Sequence, residues 1–252
     1  MTPDEIERYA RHIVLREIGG PGQNKLLGVK LLCVGAGGLG SPALLYLAAA
    51  GVGTLGIVDD DHVSLSNLQR QIIHDTGAIG QAKTKSAKHS LARINPHVQV
   101  VEHTVRLTEN NVDAVIAEYD LVLDGTDNFA TRYLVNAACV RAGLPLISAA
   151  MSQWEGQISL YDPQNGGPCY QCVFPEIPAE GLAPNCAQAG VMGALAGVMG
   201  SMMAGEAIKF ITGAGRVLRG EILIYDSLFG ETRKLKTSPR DDCPICGPGV
   251  AS

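Results

Sequence analysis

The chain has 252 residues, 46% hydrophobic and 18% charged, with a formal net charge of −5. That length buries one sizeable core and leaves room for a second lobe. The mildly acidic balance gives no overall attraction to polyanions, which argues against nonspecific binding to nucleic acid or to an anionic membrane.

The N-terminus, Met1-Thr2-Pro3-Asp4-Glu5, is polar and acidic and lacks the charged-then-apolar pattern of a secretion signal, so a cytoplasmic protein is expected. Lys30 to Val34 reads as a buried strand and Ser41 to Ala50 as the helix after it. Gly51 suits the left-handed residue that closes such a helix. Thr54 to Val58 is the next strand, and Lys83 to Ile94 the next helix, ended by Asn95-Pro96. Val98 to Glu102, Leu121 to Leu123 and Leu144 to Ser148 are further strands, with a helix over Asn128 to Ala142. Strands that are apolar throughout and separated by helices predict a parallel sheet covered on both faces.

Past Ala150 the pattern changes. Gln157 to Tyr161 and Glu221 to Tyr225 nearly alternate, as strands with one wet face do, and Ser227 to Lys236 offers another. Pro175 to Cys186 carries three prolines without periodicity and reads as a surface loop. Ala187 to Gly205 is uncharged, but Glu206 and Lys209 follow at helical spacing. A buried helix is expected there rather than a membrane span, its small residues allowing close packing against a second subunit. The expected organisation is a nucleotide-binding lobe over 1–150 and a second lobe over 151–252, joined in one compact domain.

Gly35-Ala36-Gly37-Gly38-Leu39-Gly40 sits between a strand and a helix, the context that gives G-x-G-x-x-G meaning. Such glycines tighten the turn and let backbone approach phosphate, while the helix amides supply positive potential. Asp59 ends the next strand, about 20 residues on, where a carboxylate accepts ribose hydroxyls. Alone this says only nucleotide, with a nicotinamide dinucleotide as the default. Ser66-Asn67-Leu68-Gln69-Arg70-Gln71 and Lys83 shift the reading toward a triphosphate, because Arg and Lys spread charge developing at phosphorus. Asp127, in Asp124-Gly125-Thr126-Asp127-Asn128 at a strand's carboxyl end, is placed to hold Mg²⁺ against phosphate, to cap the helix starting at Asn128, or to do both.

Cys169-Tyr170-Gln171-Cys172 and Cys243-Pro244-Ile245-Cys246 are two C-x-x-C pairs that suit one tetrahedral structural zinc tying the C-terminal tail to the second lobe. The competing reading, a redox-active pair, fits two loop-borne pairs poorly. Cys33 and Cys139 read as small buried hydrophobes. Cys186 ends the loop just before the long helix, where a thiol gains thiolate character; the alternative is a spare loop thiol. His12, His74 and His97 show no metal spacing and read as surface or packed residues. Trp154 and Glu155 are placed at the start of a strand.

Taken together, Arg8-Tyr9-Ala10-Arg11, the glycine loop, Asp59, Ser66 to Gln71, Lys83, Thr126-Asp127-Asn128 and the two cysteine pairs resemble the MoeB/ThiF family across nearly the whole chain. These are bacterial relatives of the adenylation domains of ubiquitin-activating enzymes. The resemblance implies a Rossmann-like, doubly wound, mostly parallel sheet continued by antiparallel strands. It implies that Gly38, Asp59, Ser66, Asn67, Arg70, Lys83 and Asn128 bind ATP, that Asp127 lies at Mg²⁺, and that Arg11 reaches the triphosphate of the neighbouring subunit in a homodimer. It also links a cysteine at the position of Cys186 to sulfur transfer. Gly125 departs from the pattern, since many relatives carry Cys there.

The implied activity is ATP-dependent adenylation of the C-terminal glycine of a small ubiquitin-like sulfur carrier ending in Gly-Gly. The carrier's own carboxylate is then the nucleophile, and no enzyme serine or cysteine is needed for that step. No rhodanese-like segment follows Cys246, so a separate persulfide donor is expected. Ser64 to Gln71 and Glu155 to Ile158 look closer to the molybdopterin branch than to the thiamine branch. Three rivals are a NAD-dependent oxidoreductase, an adenylating dehydratase acting on a modified tRNA base, and a non-catalytic zinc-bearing interaction module. The first leaves Arg70, Lys83 and Asp127 without a role, the second calls for a basic surface, and the third predicts no ATP binding.

Overall fold

The computed structural model describes residues 1–177 and 190–248. Cys186 and the beginning of the Ala187–Gly205 stretch lie outside the described residues. Three N-terminal helices, α1 (Pro3–Arg8), α2 (Ala10–Ile13) and α3 (Gly19–Gly28), precede β1 (Lys30–Val34). Then follow α4 (Gly40–Ala50), β2 (Thr54–Val58), α5 (Lys83–Ile94), β3 (Gln99–His103), α6 (Val112–Ile116), β4 (Leu121–Asp124) and α7 (Phe129–Ala142). The second part holds β5 (Leu146–Ser152), β6 (Glu155–Tyr161), α8 (Tyr170–Val173), α9 (Gly193–Thr212), β7 (Glu221–Asp226) and β8 (Glu231–Lys236).

All eight strands form one sheet in the order β3-β2-β1-β4-β5-β6-β7-β8. β3 through β5 run parallel, and β5 through β8 pair antiparallel. The parallel half is where the apolar runs lie. β1, β2 and β4 are buried almost end to end, as strands covered by helices on both faces must be. α4 has only 11 residues, too few to persist alone, yet Leu44 and Leu47 are wholly buried. Each contributes about 1.5–3 kcal/mol, so packing rather than propensity holds this helix. Gly51 closes it with a left-handed φ of +83°, as expected.

Two expectations need correction. β6 is interior, between β5 and β7, and buried over most of its length, so the near-alternation of Gln157 to Tyr161 does not mark a wet face. Solvent reaches the sheet at β8, the edge strand, where every residue is exposed. Leu144 and Pro145 precede β5 rather than belonging to it, and the strand instead runs on to Ser152. The small residues of α9 do allow close packing, seen here within the chain. A Cβ on Gly200 would stand 2.3 Å from both the Leu39 carbonyl oxygen and Pro42 Cγ, so α9 crosses the start of α4 at backbone range. α9 is long and apolar enough to cross a membrane, but it packs on α3, α4, β5 and β6 with Leu195, Met199 and Met203 buried.

Candidate nucleotide site and cysteine cluster

A cavity of about 880 Å³ opens at the carboxyl ends of β1, β2 and β4. Between β1 and β4 the strand order reverses, which leaves a crevice where open α/β sheets take ligands. Its floor is the glycine loop. The N–H groups of Gly37, Gly38 and Leu39 donate to no protein acceptor among the described residues, and α4 starts immediately behind them. Free amides at a helix N-terminus attract an anion through both hydrogen bonding and the helix dipole.

On one side stands Asp59. Its Oδ2 accepts from the Ala36 N–H at 2.8 Å and its Oδ1 from the Asp61 N–H at 2.9 Å. Burial pushes its carboxyl above the usual range, against the opposing pull of Lys83 and these two N–H groups. Lys83 opens α5 with its side chain 6% exposed and its Nζ 2.8 Å from Asp61 Oδ2. The oxygens of Asp59, Asp60 and Asp61 lie close enough to share an ion. Two of the three are already engaged, Asp59 with backbone amides and Asp61 with Lys83. Arg70 is half-buried in the opposite wall, its Nη1 held loosely by the Ser66 carbonyl at 3.3 Å.

Across the floor, the loop after β4 presents Asp127. The geometry decides between cap and free carboxylate. Asn128, not Asp127, caps α7, accepting the Thr131 N–H on Oδ1 at 2.9 Å. Asp127 is exposed, lines the cavity and makes no hydrogen bond or ion pair among the described residues. An unpaired carboxylate facing a phosphate-type loop is a ready cation ligand.

Behind this loop lies a buried network that sequence reasoning missed. Arg132 Nη1 reaches Asp124 Oδ2 at 3.3 Å and Ser148 Oγ at 2.8 Å, while Nη2 donates to the Thr126 and Ala149 carbonyls. Asp124 Oδ1 in turn accepts from the N–H and hydroxyl of Thr126. The guanidinium thereby fixes Gly125-Thr126-Asp127 against β5. A lone Arg within the α7 pattern gave no signal of it; the only clue was the polar pair Asp124 and Ser148 at the ends of apolar strands.

The four cysteines of the two C-x-x-C pairs converge. Sγ separations are 3.8 Å for Cys169–Cys172, 3.6 Å for Cys169–Cys243 and 3.3 Å for Cys172–Cys246, and all four sulfurs lie within 4.8 Å of one another. Ligands about 2.3 Å from a tetrahedral ion stand close to these distances apart. Burial pushes the Cys169 thiol up, and four sulfurs gathered this closely could hold a metal ion. Cys33 and Cys139 are buried, and burial raises both thiols, Cys33 to about 12.

A model of the ThiF family matches residues 9–245. The chain belongs to the ThiF family. It is 45% identical over 250 residues to the sulfur carrier protein adenylyltransferase of Thermus thermophilus, covering 98% of this chain and 92% of that one. It is 46% identical over 247 residues to the adenylyltransferase and sulfurtransferase MOCS3 of Aedes aegypti, but spans only 56% of that protein's length. The crystal structure of E. coli MccB with MccA-N7isoASN shares the fold, with a TM-score of 0.86 at 24% identity over 96% of this chain and 75% of that one.

Within this family member, Gly38, Asp59, Arg70, Lys83, Asp127 and Asn128 all line one cavity. Ser66 and Asn67 do not. They form a short 3-10 turn beside it, where Asn67 Oδ1 accepts the Ser64 N–H and Ser66 Oγ meets Ser64 Oγ at 3.1 Å. Arg11 is exposed on α2, away from this cavity.

Proposed function

We propose that this chain is an ATP-dependent adenylyltransferase that activates the C-terminal glycine of a small ubiquitin-like sulfur carrier. The observation that carries the reading is the free carboxylate of Asp127 facing the glycine loop, with Arg70 and Lys83 on the same cavity. The 45% identity to a sulfur carrier protein adenylyltransferase over nearly the whole chain supports the choice of acceptor.

On this reading a carboxylate oxygen of the carrier's terminal glycine attacks the α-phosphorus of ATP. The new O–P bond forms as the α–β bridging bond breaks, and pyrophosphate leaves with the electron pair. The product is the carrier acyl-adenylate. Positioning and charge stabilisation supply the catalysis, since the substrate brings the nucleophile. Loop amides and Arg70 hold phosphate oxygens, Lys83 adds charge directed by Asp61, and Asp59 orients the ribose. Ser66, Asn67 and Asn128 complete the nucleotide site. Asp127 would hold Mg²⁺, which when bound draws charge from the phosphates.

Arg11 completes the phosphate clamp of a partner copy in a homodimer. Exposed Val14 and Leu15 beside it, at 75% and 48%, support that arrangement. Cys169, Cys172, Cys243 and Cys246 would hold a structural zinc, whose four-sulfur shell leaves no open position for chemistry. The first 150 residues then carry the nucleotide and 151–252 the carrier. Sulfur enters afterwards from a persulfide donor, with Cys186 as the candidate thiol, in the molybdopterin branch rather than the thiamine branch, in the cytoplasm. A nicotinamide oxidoreductase would leave Arg70, Lys83 and Asp127 idle.

ATP–pyrophosphate exchange driven by a Gly-Gly-terminated carrier tests the reading. Asp127→Ala should lower that exchange by at least about a hundredfold while zinc content stays unchanged. Exchange persisting in the variant would remove Asp127 from its role as the Mg²⁺ ligand.

A further inference from the structure

We propose that His74 is a positioning residue for nucleotide binding, holding the glycine loop through the Ala36 carbonyl so that the Gly37 N–H faces the phosphates. The proposal rests on the nucleotide reading above. His74 lies between β2 and α5, is 7% exposed, and does not itself line the cavity. Its Nε2 is 2.9 Å from the Ala36 carbonyl oxygen and its Nδ1 is 2.9 Å from Ser86 Oγ. A carbonyl only accepts, so Nε2 carries the proton, and Nδ1 of the neutral ring accepts from the Ser86 hydroxyl. Burial, with Lys83 nearby, holds the imidazole below its usual range and favours that neutral form.

The consequence for the loop follows from peptide geometry. Ala36 is clamped on both sides, its N–H by Asp59 Oδ2 and its C=O by His74. A trans peptide is planar, with C=O and N–H on opposite sides. Once the Ala36 carbonyl points at His74, the Gly37 N–H must point the other way. Gly37 lines the cavity, and its N–H has no protein acceptor among the described residues. The imidazole therefore sets the direction of a phosphate-binding amide without touching the ligand. Ser86 carries the arrangement on to α5, the helix that also bears Lys83, so one buried chain of bonds fixes loop and lysine together.

The alternative is a histidine that merely fills space, and the two differ in whether the N–H matters. ATP·Mg²⁺ binding to the zinc-loaded protein is measured by calorimetry for the unaltered chain, His74→Leu and His74→Gln. Leu fills similar volume without a donor, while Gln places an N–H at similar reach. His74→Leu should raise the ATP Kd about tenfold or more, and His74→Gln should stay within about threefold of the unaltered protein. ATP binding unchanged in His74→Leu overturns the proposal, as does equal weakening in both variants. If His74→Leu gives no cooperative melt, Ser86→Ala decides instead. It should weaken ATP about threefold by freeing the ring, and an unchanged Kd refutes the role. No ATP binding by the unaltered protein would reject the nucleotide reading itself, and this role with it.

Discussion

Asp59 illustrates how one side chain is given two tasks. Its position at the end of β2, after the glycine loop, was legible from strand and loop order alone, and the proposed function makes it a ribose acceptor. The structure adds a second role, since the same carboxylate holds the Ala36 and Asp61 amides. Burial raises its pKa, so the folded chain binds the proton more tightly than the unfolded chain does. Acidification between the raised value and the ordinary one therefore relieves a folding cost at this residue, yet removes the acceptor proposed for the ribose. ATP affinity, followed by titration from neutral pH downward, should begin to fall above the ordinary aspartate value of 3.8. Affinity holding level down to that value would contradict the assignment. His74 and Arg132 were not legible in the same way. Both act through contacts between segments distant in sequence, and neither carries a spacing that marks it.

At the scale of elements, the parallel half was read with small errors because β1, β2 and β4 are largely apolar and α4, α5 and α7 are stopped by glycine or proline, whereas α6, stopped by neither, was not read. The glycine loop was placed correctly between strand and helix for a further physical reason, which the close approach of Gly35 and Gly40 makes explicit. A Cβ on Gly40 would stand 1.9 Å from the Gly35 carbonyl oxygen, so only glycine lets α4 begin where the loop turns. Gly40→Ala should cost about 1–3 kcal/mol of stability, seen as a lower melting temperature, and should weaken ATP binding as well. A melt and an affinity equal to those of the unaltered protein would show that the loop accommodates a methyl group. The antiparallel half was harder. Alternation in β6 suggested a wet face, but α9 and the neighbouring strands bury it. Which strand takes the exposed edge depends on strand order, and sequence pattern does not fix that order. The cap of α7 was missed for a related reason, since Asp127 and Asn128 are both good caps and only the backbone path chooses between them.

Over the whole molecule, a single sheet supports both the cavity and, close beside it, the cysteine cluster. The parallel half ends in the nucleotide cavity, and past the antiparallel strands the C-terminal tail returns to α8 through the cysteine cluster. Tyr170, between the cysteines of the first pair, also lines that cavity, so the tail braces one wall of the site. This continuity joins motifs spread from the glycine loop to Cys246 in one unit, and their joint occurrence was more informative than any single motif. The central claim is that the unit adenylates a carrier's terminal glycine. Mass spectrometry of a Gly-Gly-terminated carrier after incubation with the enzyme, ATP and Mg²⁺ tests it most directly. The account predicts a carrier heavier by one adenylyl group at its C-terminus, absent when ATP is omitted or the terminal glycine is removed. An unmodified carrier, in a reaction where the same enzyme demonstrably binds ATP, would contradict it.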